Sequence, residues 1–265
     1  MWFLSQTHCQ NHAAKYDCAP TRSISVGSMR ICLAITGLAV ALSLASPAAA
    51  DQLSDGTAAY DKRDYGTAFK LLQPLAAQGN PTAENVIGVL YFTGHGVMTD
   101  RAAGIAWFQK AADQGEMDAE CTLGRLYLDG RAIRQDSAAA MTWFRKAADR
   151  SFPRAESEIG RMYLIGDGVP QDDSQALQWF QKAADQGYPT AQAELGRLYA
   201  FGRGTPPDYV QARMWIALAA KGGDTSANKY ADIIAAKMTP DEISKAQKLA
   251  AAWTPATPTQ GIVDP

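Results

Sequence analysis

Gly88, Gly124, Gly160 and Gly196 stand 36 residues apart, and three further columns keep the same step. One is Tyr91, Tyr127, Tyr163 and Tyr199, another is Asp100, Asp136, Asp172 and Asp208, and the third is Trp107, Trp143, Trp179 and Trp215. No other property restricts the chain as much. A fixed period of this length means one supersecondary unit per period, each covering its apolar face with its neighbours. No insertion interrupts the array, so the units must stack in one uniform way.

Each unit reads as two helices. Ala83, Ile87, Leu90 and Tyr91 fall at i, i+4, i+7 and i+8, one amphipathic stripe. Gly104, Trp107, Phe108, Ala111 and Ala112 form the stripe of the second helix. Gly94-His95-Gly96-Val97 supplies the turn between them, and Asp100 and its equivalents stand where a helix N-cap belongs. Gly115 and Gly187 close the second helices. Gly88 and its equivalents are mid-helix, where glycine costs about 1 kcal/mol relative to alanine. A repeated cost implies a repeated close approach, with the Trp-Phe pair filling the space beside it. The tryptophan column is assigned to the core.

The register defines four full units, 83–118, 119–154, 155–190 and 191–226. Residues 51–82 read as N-terminal capping helices amounting to a half-unit, because Ala68, Leu71, Leu72, Ala76 and Gly79 match second-helix positions. Residues 227–253 read as C-terminal caps: Ala227–Lys237 matches a first helix, and Thr239-Pro240-Asp241-Glu242 is a capping box opening a final helix that ends near Trp253. Residues 254–265 carry three prolines and no period, and are expected to be a disordered tail.

The N-terminus sets the expected compartment. Arg30, the apolar run Ile31–Ala45 and Ser46-Pro47-Ala48-Ala49-Ala50 match a secretory signal over 29–50, cut after Ala50. Residues 1–28 read as an extended leader or as sequence upstream of a start at Met29. The run is too short for a permanent membrane helix, so no stable membrane insertion is expected once the signal is removed. Cys121 is then the one remaining cysteine, which excludes an internal disulfide framework. From 51 onward 22 Lys+Arg face 26 Asp+Glu, a charge of −4 that favours neither nucleic acid nor anionic membrane.

Leu195-Gly196-Arg197-Leu198-Tyr199 and Ala176-Leu177-Gln178-Trp179-Phe180 resemble the tetratricopeptide pattern. The interval from Gly160 to Ala176 is 16, about four residues longer than in that repeat, and the extra residues carry Gly166-Asp167-Gly168-Val169. The chain is therefore identified as similar to the Sel-one-like repeat family over roughly 56–253. The resemblance implies an all-α, right-handed α-solenoid of helix-turn-helix repeats that serves as a protein-interaction scaffold. Two departures stand in the second unit, where Arg131-Ala132 and Arg150-Ser151 replace x-Gly and Gln-Gly; its loops are expected to be the least regular.

Catalytic material is scarce. His95 is the only histidine beyond residue 50, and it is expected to be a solvated turn residue. No metal-ligand motif is present; Asp172-Asp173 reads as an N-cap with a neighbour, and no cofactor is expected. Ser226-Ala227-Asn228-Lys229 matches S-x-x-K without its partner motifs, and a β-lactamase-like hydrolase is the weakest reading. The chain is expected not to be an enzyme. The resemblance places the first helices on a concave face, so their non-core columns nominate a protein- or peptide-binding surface: Asn85, Val89, Phe92, Arg125, Leu128, Arg161, Leu164, Arg197 and Phe201. The arginines form a ladder suited to carboxylates, unless they pair with Glu84, Glu120 or Glu156. The expected partner is another envelope protein or a peptide, bound by a monomer. A cell-wall or glycan-binding module is the alternative, and it needs exposed aromatics such as Phe92, Phe201 and Tyr188.

Overall fold

Two of the register columns meet in one turn. The computed structural model describes residues 47–256. The first helices of the four units are α3 (Pro81–Thr93), α5 (Met117–Asp129), α7 (Pro153–Ile165) and α9 (Pro189–Phe201). The second helices are α4 (Arg101–Asp113), α6 (Ser137–Ala148), α8 (Asp173–Asp185) and α10 (Tyr209–Lys221). The N–H of each column aspartate donates to the column tyrosine carbonyl of its own unit: Asp100 to Tyr91 at 2.8 Å, Asp136 to Tyr127 at 3.0 Å, Asp172 to Tyr163 at 2.9 Å and Asp208 to Tyr199 at 3.0 Å. The same carboxylates accept from the first turns of α4, α6, α8 and α10, through the N–H groups of Ala103, Ala139, Gln175 and Gln211. Such a cap contributes about 1 kcal/mol, and here it also closes the inner loop.

The mid-helix glycines are contact points. A Cβ on Gly124 would lie 2.6 Å from Phe144 Cε1, one on Gly88 2.8 Å from the Phe108 ring and one on Gly196 2.8 Å from Ile216 Cγ1. Phe108, Phe144 and Phe180 are at most 1% exposed and fill this space. The tryptophans do not. Trp107, Trp143 and Trp179 are half-buried, and the ammonium groups of Lys110, Lys146 and Lys182 sit 4.0, 3.8 and 4.1 Å from their ring centroids. One helical step from an inward phenylalanine turns the indole to the helix flank. There it packs partly on the preceding unit and takes a cation–π contact from the lysine one turn on. Trp215 is buried, because Leu218 stands at the lysine register and Trp253 packs edge-on at 6.0 Å.

The ends are more complete than a half-unit. Helices α1 (Pro47–Asp61) and α2 (Tyr65–Ala77) form a full pair. A Cβ on Gly56 would lie 2.5 Å from Leu72, which holds the register of Phe108. Three residues, 62–64, join α1 to α2, whereas seven, 94–100, join α3 to α4. The first helix is therefore four residues out of the 36-residue register. At the other end a 3-10 turn (Thr225–Ala227), α11 (Asn228–Ala235) and α12 (Pro240–Ala252) follow, with the Thr239–Glu242 capping box formed.

Two boundaries move. Pro47–Ala50, assigned to the signal, lie in α1, and Ala49 packs against its core; the remainder of the signal, up to residue 46, lies outside the described residues. At the tail the Ala256 N–H donates to the Asp185 carbonyl at 2.8 Å, so Thr254–Ala256 are laid back on the fold, and 257–265 lie outside the described residues.

The second unit departs as its sequence suggests, in two physically different ways. Gly96, Gly168 and Gly204 have φ of 72–73°, a conformation that Ala132 does not adopt at the same register. Ser151 does adopt the bend of Gly79, Gly115 and Gly187, at φ 59°. A side chain in that region costs about 1 kcal/mol. Ser151→Gly is therefore expected to stabilise by about 1 kcal/mol and raise Tm by about 2–4 °C in a calorimetric scan. An unchanged Tm would show that the serine is unstrained.

Candidate functional site

The ladder arginines project from α5, α7 and α9, and carboxylates of the same face hold them. Arg125 and Arg161 are 53% and 50% exposed, and both approach Glu158, Arg125 at 3.8 Å and Arg161 at 2.5 Å. Arg197 is 36% exposed and binds both oxygens of Glu194 at 2.7 Å. Glu84, Glu120 and Glu156, the carboxylates considered for this role, are instead buried elsewhere. The row runs on past α9: the Arg197 guanidinium lies 5.4 Å from the Tyr230 ring of α11.

The apolar strip beside the ladder is not exposed where it was expected. Leu164 is 8% exposed and belongs to a core cluster. Val89 and Phe92 pack on the Phe108 cluster, with the Phe92 and Phe108 rings 6.1 Å apart, and Leu128 packs on the Phe144 cluster. Asn85 is half-buried. Leu164 lies toward the end of α7, where the inner loop of the next unit reaches it, and Arg203 donates to its carbonyl at 3.2 Å. Exposed large apolar side chains stand at Met98 (89%) in the first inner loop and, on the first helices and α11, at Ile165 (58%), Phe201 (59%) and Ile233 (56%). Ala200, Phe201, Tyr209, Tyr230, Ile233, Ile234 and Lys237 enclose an open cavity of about 160 Å³. Sequence reasoning found Phe201 and missed Tyr230 and Ile233. Extending the Val89 and Val86 columns one more period past Arg197 and Glu194 reaches both.

A second polar system recurs in the first three units, between the first helix and the turn that follows the second helix of the same unit. Glu84, Glu120, Glu156 and Gln192 share one register and are 2–4% exposed. Gln114 donates to Glu84 at 2.6 Å, Arg150 to Glu120, and Gln186 to Glu156 at 2.7 Å. Burial pushes all three carboxyls above their ordinary range, Glu156 to about 7 against the attraction of Lys182. Burial also pushes the α5 N-cap, Glu116, to about 7. A polar cleft of about 450 Å³ opens beside Glu156, Trp179 and Lys182.

A carboxyl raised in the folded state takes up a proton on folding at intermediate pH. Its contribution is full below the ordinary value of 4.5 and is lost as pH rises through about 7. Glu156→Gln, the amide already present at Gln192, is therefore expected to gain roughly 1–3 kcal/mol over wild type at pH 8 and nothing at pH 4. Urea melts at the two pH values check this, and equal differences at both would contradict it.

The remaining sequence candidates are structural. Exposed His95 stacks on Tyr65 at 4.6 Å. Cys121 is 0% exposed and burial pushes its thiol up, so it is unavailable for pairing between chains. Ser226 and Lys229 are both exposed, and the serine hydroxyl donates to Asp224. Asp172 caps α8, and the Arg203 guanidinium beside Asp173 holds that carboxyl below its usual range.

Comparison with known proteins agrees with this architecture. The Sel1 repeat family model matches residues 53–80, 81–116, 118–152, 153–188 and 189–224, which counts the α1–α2 pair as a fifth repeat. A Sel1 repeat protein from Oxalobacter formigenes is 31% identical, with TM-score 0.66, over 78% of this chain and 90% of its own. A protective antigen of uropathogenic Escherichia coli with an SLR fold is 26% identical, with TM-score 0.50, over 77% of this chain and 53% of its own. The immunity protein Pa5087 of Pseudomonas aeruginosa, at 22% identity and TM-score 0.53 over 78% of this chain and 80% of its own, shares the fold. A search of curated proteins found no match.

Proposed function

The chain belongs to the Sel1 repeat family, whose members are generally non-enzymatic protein-interaction scaffolds, and from that premise we propose that it holds an envelope protein or extended peptide along its first-helix face. One observation carries the proposal. The half-exposed guanidinium row Arg125, Arg161 and Arg197 leads directly into the exposed apolar surface of Phe201 and Ile233. A guanidinium carries five N–H donors, and the contact of Arg125 with Glu158 at 3.8 Å is too long for a strong bond. Spare donors remain for a partner's carboxylates or backbone carbonyls, with apolar contacts beside them. The periplasmic location in this proposal rests on the sequence around Arg30 and Ile31–Ala45.

The tryptophan column offers little support for glycan binding, since a lysine already covers three of its four rings. Affinity capture from periplasmic extract tests the proposal. Wild type is expected to retain a protein that Arg125→Glu plus Arg161→Glu loses. Co-sedimentation with peptidoglycan alone, unchanged in the double variant, would overturn it.

A further inference from the structure

At the interior seams, the inner loop of one unit lies over the unit before it. Gly96 stands against the Tyr65 backbone, Gly168 against Ser137 and Gly204 against the backbone of Asp173. Polar contacts fasten these loops: Ser137 donates to Asp167, and Arg203 donates to the Asp173 carboxylate and to the Leu164 carbonyl. The loop also sends an apolar residue inward. Val97 and Val169 pack on core clusters of the preceding units. In the first three units the loop thus closes the seam with a branched aliphatic side chain, Val97, Ile133 or Val169, and in the fourth Thr205 stands at the same register.

The last seam has no such loop. Four residues, 236–239, join α11 to α12, and no Gly-x-Gly-Val segment lies among them. Ala200 and Tyr209 hold the registers of Leu164 and Asp173, the residues that the loop of the fourth unit contacts. Here the two line the open 160 Å³ cavity with Phe201, Tyr230 and Ile233. An apolar cavity of about this size accepts a benzene-sized group. Lys237 stands at its edge, exposed and without an ion pair among the described residues.

We infer that this partly open seam, which Met238 covers only in part, is a docking pocket for a partner segment that supplies what the inner loops of the first three units supply there: one branched aliphatic or phenyl side chain, flanked by a carboxylate that pairs with Lys237. The inference rests on the scaffold reading and names the partner chemistry within it. The seam-closing loops give the apolar half of that chemistry, and the unpaired ammonium gives the acidic half.

A phage-displayed library of random linear dodecapeptides, selected on the full chain, tests it. Selected peptides are expected to place an aliphatic or phenyl residue next to Asp or Glu. Measured by fluorescence polarisation with a labelled selected peptide, Ile233→Asp is expected to weaken binding roughly tenfold or more, and Lys237→Glu roughly threefold to tenfold. Both side chains are exposed, so thermal melts of the variants should match wild type. Peptides that bind Ile233→Asp as well as wild type but fail on Arg125→Glu plus Arg161→Glu overturn the pocket and leave the scaffold reading standing. Enrichment of Lys or Arg beside the apolar residue overturns the assigned chemistry. Recovery of no binding peptide overturns the pocket and the peptide-binding reading together.

Discussion

Gly124→Val is expected to destabilise the fold by about 3 kcal/mol or more. Even a single Cβ at this position would lie 2.6 Å from Phe144 Cε1, well inside contact distance. Phe144 is 0% exposed and is packed among Ala140, Ala147 and Ile159, so the ring has no free space to enter. The register itself separates the roles of the two residues. Its glycine is constant from Gly56 to Gly196, while its partner is Leu72, Phe108, Phe144, Phe180 or Ile216. Phe144→Ile is accordingly expected to cost only about 1–2 kcal/mol. In a repeat protein each unit contacts its neighbours alone, so loss of this helix contact within the second unit should appear as a separate early phase in urea melts. A Gly124→Val protein within 1 kcal/mol of wild type would show that the helices can move apart at this point.

Arg150→Ala carries the second large effect, about 2 kcal/mol of destabilisation. Arg150 replaces the glutamine that the first and third units carry at this register, Gln114 and Gln186. Its guanidinium donates to Glu120 and to the Gly115 carbonyl, tying the second unit to the first. The arginine is 43% exposed but its carboxylate partner only 4%, so truncation strands a buried acceptor. Arg150→Gln restores the register's own solution, seen in Gln114 to Glu84 and Gln186 to Glu156, and is expected to lie within about 1 kcal/mol of wild type. Equal losses in the alanine and glutamine variants would remove the Glu120 bond as the cause.

The aspartate and tyrosine columns announced the inner loop, because a cap and the carbonyl it approaches must keep a fixed separation. Burial was harder to read. The tryptophans outsize the phenylalanines beside them, yet the phenylalanines face the glycines and the tryptophans lie on the flank. One helical step of rotation decides this, and residue size does not report it. Glu84, Glu120 and Glu156 looked like surface partners for the arginines because carboxylates are rarely buried. Their donors stand 30 residues later, in the next turn between units, beyond any local pattern. The outermost helices α1 and α12 fall outside the 36-residue step because their connections are shorter, whereas Tyr230 and Ile233 keep the step in a helix that the sequence marks as a cap. The arginine ladder was legible as a row, and its pairing with Glu158 and Glu194 required coordinates.

The most direct test of the account is where a partner touches the chain. A photoreactive benzophenone residue at position 161 or 233, on the first-helix face, should give a cross-linked protein adduct in cells. The same residue at Thr142 or Gln178, exposed on the second helices α6 and α8, should give none. Adducts arising only from positions 142 and 178 would contradict a partner held along the first helices.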